Sequence, residues 1–133
     1  MTLMITVMAS AAAVRSTTAI ADARDTARAF LEGLQQPAVA PDAADTVVLV
    51  VSELVTNSLR HGGGRCTLEL TAHPDTIEVA VHDPRRHVPH MRTPDLNGGT
   101  GGFGWPMVTR LAHATAVTRG ASGGKTVSAF LAR

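Results

Sequence analysis

Apolar residues recur along this chain in two periods, and the change of period divides it into elements. Between residues 18 and 35 they fall at Ile20, Ala23, Ala27, Phe30, Leu31 and Leu34, which line one face of a helix. Pro37 and Pro41 bound the break after it. The helical pattern resumes over about 43–61, where Val47, Val48, Val51, Leu54, Val55 and Ser58 form a core stripe. Asp42 is a suitable N-cap, and Asp45 complements the dipole of the first turn. Leu49 and Val50 are read as lying on the opposite side, which predicts that the first half of this helix is covered all round. Gly62-Gly63-Gly64 ends it.

A period of two follows. Residues 66–72 (CTLELTA) and 77–83 (IEVAVHD) alternate apolar and polar around His73-Pro74-Asp75-Thr76 and predict a β-hairpin. Residues 84–101 contain Pro84, Pro89 and Pro94 and read as a long loop, a length typical of functional lids. Trp105, Val108, Leu111 and Ala112 give a short helix over 105–113, with Pro106 in its first turn. Residues 114–118 and 126–131 read as strands flanking Gly120-Ala121-Ser122-Gly123-Gly124. In the apolar start, no lysine or arginine precedes Arg15, and residues 3–8 are short for a signal core. Residues 1–13 are therefore expected to be a first strand or a frayed start. The order predicts an α+β fold over residues 1–133, a single two-layer sandwich with helices on one face of a mixed, mostly antiparallel sheet.

Composition narrows the class. At 133 residues, 44% hydrophobic and 17% charged, the chain can bury a core and is no disordered tail. No apolar run reaches the ~18 residues of a membrane span. Twelve basic against eleven acidic residues give a net charge of +1, which supplies no bulk attraction for nucleic acid. The charge is uneven, however. Residues 1–95 carry eight arginines and eleven acids, whereas 96–133 carry Arg110, Arg119, Lys125 and Arg133 and no acid. That acid-free end is also rich in glycine, a combination suited to an anionic ligand. Lys125 is the only lysine beside eleven arginines, a bias typical of GC-rich coding that gives the arginine excess little functional weight. The single cysteine, Cys66, cannot form an internal disulfide, which suits a reducing cytoplasm.

Candidate chemistry lies in four places. Glu53 and Asn57 are one helical turn apart, with Arg60 and His61 continuing the line. A glutamate can act as a base, an asparagine oxygen can bind Mg²⁺ beside phosphate, and an arginine can neutralise phosphate; the same pattern also suits a solvated helix face. Asp83, at a strand end, could accept from an exocyclic amine such as adenine N6, or simply start a turn before Pro84. The glycines from Gly98 to Gly104 lead into a helix N-terminus, which offers backbone N–H groups to an anion. Residues 99–104 match the dinucleotide fingerprint in letters only, since a loop precedes them and no acid follows. Gly123-Gly124-Lys125-Thr126 resembles a P-loop ending, but Arg119 replaces its leading glycine and a strand follows. His82, His87 and His90, in an arginine-rich stretch, read as solvated and make a poor zinc site.

Taken in order, these pieces resemble a family. Glu53-Leu54-Val55-Thr56-Asn57-Ser58-Leu59-Arg60-His61 is similar to the N box of the GHKL ATPases, above all the small bacterial anti-sigma factor serine kinases and their stand-alone relatives. Asp83 falls at the first glycine box. Gly102-Phe103-Gly104-Trp105 resembles the second, and Gly124-Lys125-Thr126-Val127 the closing strand. The resemblance implies ATP and Mg²⁺ as ligands. It implies Glu53 as general base, Asn57 as Mg²⁺ ligand and Asp83 as acceptor for the adenine amino group. Gly102 and Gly104 would admit the phosphates, Thr126 would complete the adenine site, and Arg60 would contact phosphate. The implied partners are a sigma factor, an antagonist protein, or both, with no direct nucleic acid, no membrane, and a homodimer allowed. Pro84-Arg85-Arg86 stands where glycines usually follow the aspartate, and Trp105 replaces a small aliphatic residue. These departures keep open a second reading, a non-catalytic module that binds a partner protein.

Overall fold

The alternation in the hairpin is realised as a two-faced sheet. Cys66, Leu68 and Leu70 point to one side with Ile77, Val79 and Val81, and all six are at most 2% exposed. The computed structural model describes residues 1–8, 13–61, 65–84, 104–120 and 123–133. In chain order the elements are β1 (Thr2–Met8), α1 (Ala13–Glu32), α2 (Pro41–His61), β2 (Arg65–Ala72), β3 (Thr76–Asp83), α3 (Gly104–Leu111), β4 (Ala114–Arg119) and β5 (Lys125–Ala132). The five strands lie in the order β1-β2-β3-β5-β4. Every pairing is antiparallel, so the expected mixed sheet is antiparallel throughout its described strands. The result is the expected two-layer α+β sandwich.

Helix α2 is the centre of the core. It packs on β2, β3 and β5, and α1 packs beside it. Val47, Val48, Val50, Val51, Leu54 and Val55 are all buried along it. Each such side chain contributes roughly 1.5–3 kcal/mol when fully removed from water. Of the two apolar residues behind the expectation of all-round cover, Val50 is 0% exposed but Leu49 is 41% exposed, so the cover is not complete. Val50 is three residues beyond Val47 and four before Leu54, so it borders the stripe, whereas Leu49 faces away from it.

The start of α2 also differs from expectation. Its first turn begins at Pro41, and Ala44 N–H donates to the Ala40 carbonyl at 2.9 Å. Proline suits that position because its missing N–H would have had no helical partner. Asp42 therefore lies inside the first turn instead of capping it. Asp45 reaches across to Arg28 of α1 at 3.2 Å, an exposed ion pair. At the chain start, β1 is a full strand, paired from Thr2 with Thr71 to Met8 with Arg65. No helix among the described residues is long and apolar enough to cross a membrane.

Candidate functional site

The site is built where α2 crosses the ends of β3 and β5. Strand β3 ends at Asp83 and β5 begins at Lys125, and the two residues are cross-strand partners. Cross-strand partners share a face, and the apolar Val81 and Val127 beside them fix that face as the one against the helices. Asp83 is 3% exposed and Lys125 6%. Ser58 of α2 donates its hydroxyl to Asp83 Oδ2 at 3.0 Å, which joins helix to strand. Cys66, beside them at the start of β2, also hydrogen-bonds Ser58. Burial raises its thiol pKa from 9.0 to about 11; the Ser58 hydrogen bond opposes that shift and the Asp83 charge adds to it. For Lys125, burial favours the neutral amine and lowers its pKa. The Asp83 carboxylate opposes that shift and the Arg119 guanidinium reinforces it.

Two cavities meet at this pair. One, of about 10 Å³, is lined by Leu54, Asn57, Ser58, Val81, Asp83, Lys125 and Val127 and has room for about one water. The other, about 430 Å³, opens at the strand ends past Arg65, Cys66, Gly120 and Gly124. That volume lies within the range of small-molecule sites. Asp83 and Lys125 are the two residues common to both linings.

Glycines set the close approaches. A Cβ on Gly124 would lie 2.8 Å from the Asp83 carbonyl oxygen and 3.4 Å from Pro84 Cα, so the start of β5 presses directly on the end of β3. Gly123 before it has φ 95°, which favours glycine. Gly104, the first residue of α3, abuts Glu53: a Cβ there would lie 2.5 Å from Glu53 Oε2. A carboxylate at a helix N-terminus is electrostatically favoured.

The sequence-derived residues are thus only partly gathered. Asn57 and Asp83 line one cavity. Glu53 sits on the same helix, half-buried, against the start of α3. The stripe carrying Glu53 and Asn57 flanks the core, and α3 packs on α2 there. Arg60 is exposed in the last turn of α2. Gly102 lies outside the described residues, as do Arg85, Arg86, His87 and His90 and nearly all of the expected loop.

Thr126 lines the 430 Å³ cavity together with Asp83 and Lys125. It is the cross-strand partner of His82, on the sheet face away from the helices. Its hydroxyl pairs with His82 Nδ1 at 2.7 Å, and His82 Nε2 pairs with Glu69 Oε1 at 2.8 Å. Strand parity puts its side chain on the sheet face opposite that of Asp83, although both residues line that cavity at the strand ends. The residue directly across from Asp83 is Lys125. The signal for it was present in the chain: Lys125 has the parity of Val127, Ala129 and Leu131 and is the only lysine. Ser58 likewise belonged to the apolar stripe of α2, where a hydroxyl needs a partner.

Comparison with known proteins places this geometry in a family. Residues 15–130 match the sequence profile of the histidine kinase-like ATPase domain, and the chain belongs to that family. No curated protein matches it in sequence. Its fold is similar to that of a chain in the crystal structure of the SiaB–SiaC complex from Pseudomonas aeruginosa. That match has a TM-score of 0.59 and 16% identity, and covers 98% of this chain and 89% of the other.

Proposed function

We propose that this chain is an ATP- and Mg²⁺-binding regulatory protein of the anti-sigma factor type, acting on a protein partner. The observation that carries the reading is the convergence of Asn57 and Asp83 on one cavity, one turn from Glu53 at the start of α3. The donor set fits such a ligand. Asn57 offers a hard oxygen for Mg²⁺, Asp83 an acceptor for the amino group of adenine, and α3 an N-terminus for phosphate. Bound ATP would supply the phosphoryl group. Glu53 would take the proton from an attacking serine hydroxyl of the partner, a role typically contributing ~10²–10⁴-fold. A chain of similar fold occurs in a two-protein complex, which supports a protein partner, and we take that partner to be an antagonist protein.

Calorimetric titration with ATP, with and without Mg²⁺, tests the ligand. We expect Mg²⁺-dependent binding, with Asn57→Ala weakening it at least ~tenfold, about 1.4 kcal/mol. Equal binding by wild type and Asn57→Ala, or binding by neither, would overturn the assignment. Glu53→Gln tests transfer: ATP binding survives while phosphorylation of a candidate antagonist collapses. No transfer in wild type, with partner affinity unchanged in Glu53→Gln, would instead select the non-catalytic binding module.

A further inference from the structure

Lys125 is a charged group at the site that the reading above leaves without a role. It is 6% exposed, although lysine is among the side chains least often buried. It is also the exception to the chain's choice of cation, since the other eleven basic residues are arginines. A guanidinium spreads five donors over a rigid fork, whereas an ammonium concentrates three donors at one point. Lysine therefore stands where a compact donor is needed, in a chain that otherwise uses arginine.

Its placement is tightly held. Gly124 lets the start of β5 press within van der Waals distance of the Asp83 backbone, and the register then puts Lys125 directly across from Asp83. Both residues line the cavity that holds Asn57, and both line the 430 Å³ cavity. Asp83 and Lys125, buried cross-strand partners lining the same cavities, offer an acceptor and a donor. The Watson–Crick edge of adenine has the opposite order, an N6 amino donor next to an N1 ring acceptor.

We propose that Lys125 reads the base: its ammonium donates to N1 of bound adenine while Asp83 accepts from the N6 amino group. The inference rests on the nucleotide reading above. It adds a residue to the site and names the ring atom recognised.

The test pairs a change in the ligand with a change in the protein. ATP and 1-deaza-ATP, in which a C–H replaces N1, are titrated with Mg²⁺ against wild type and Lys125→Met. Removing either partner alone should weaken binding ~tenfold or more, the scale of a hydrogen bond to a charged group. Removing both should cost little beyond either single loss, because the two changes delete one contact. Equal affinity of wild type for ATP and 1-deaza-ATP overturns the proposal and leaves the nucleotide reading standing. So do losses that simply multiply. Folded wild type that binds neither nucleotide overturns both. If Lys125→Met fails to fold, the wild-type comparison of the two nucleotides still decides, since it needs no variant.

Discussion

At the scale of single residues, burial of ionisable groups makes a measurable signature. Cys66 is 1% exposed and its thiol pKa is raised from 9.0 to about 11. The folded chain therefore holds this proton more tightly than the unfolded one. The resulting stability is fully present below pH 9.0 and is lost as pH rises towards 11. A shift of this size corresponds to about 2–3 kcal/mol. Urea unfolding between pH 8 and 11 should show wild type losing about that much more stability than Cys66→Ala. Parallel curves would show that the thiol is not buried as described. Two glycines make a second contrast. In Gly124→Ala the new methyl meets backbone of Asp83 and Pro84, which cannot swing aside, so a loss of about 1–3 kcal/mol is expected. In Gly104→Ala it meets the carboxylate end of Glu53, which can move. Melting should therefore fall for Gly124→Ala and stay within about 1 kcal/mol of wild type for Gly104→Ala, where helix propensity favours alanine.

At the scale of elements, period and parity explain both what the sequence revealed and what it concealed. The helical spacing of Val47, Val51, Leu54 and Val55 identified α2, and the alternation in residues 66–72 and 77–83 identified its hairpin, because each pattern extends over several residues. Single positions at pattern edges were harder. Leu49 and Val50 are adjacent and equally apolar, and only Val50, three residues beyond Val47 and four before Leu54, borders the stripe and is covered. Leu49→Gln should accordingly leave stability within about 0.5 kcal/mol of wild type. Val50→Ala should lose about 1–3 kcal/mol through the cavity it leaves, and urea midpoints compare the two directly. In β5 the motif-like run Gly124-Lys125-Thr126 points to the threonine, whereas strand parity sets its neighbour Lys125 on the face of Asp83. A slip of one residue exchanges the two faces of a strand, so the hydrogen-bonded threonine and the buried lysine trade places. Cross-strand register, which fixed Asp83 opposite Lys125, has no local signature in the chain.

At the scale of the molecule, the first strand sets the limit of the sheet. The family match begins at residue 15, so β1 lies outside the matched range. Yet β1 runs along the whole of β2, and the Ala72 N–H donates to the Met1 carbonyl at 2.8 Å. Val7 is 5% exposed, Leu3 and Ile5 pack against the core, and α1 rests on the strand. Removing residues 1–8 would uncover the edge of β2 and the flank of Leu68 and Leu70 beneath it. An open edge of this length is a template for pairing with another chain. The truncated protein should lose on the order of 3 kcal/mol or more, from the burial of three aliphatic side chains. It should also self-associate as concentration rises. Thr6 of β1 lines the 430 Å³ cavity beside Asp83 and Lys125, so nucleotide affinity per folded chain should fall as well. Thermal melting, light scattering over a concentration series and calorimetry on the soluble fraction measure these three outcomes. An unchanged melting temperature with a monodisperse truncated chain would show that β1 is dispensable to the sheet, and the argument from edge protection would fail.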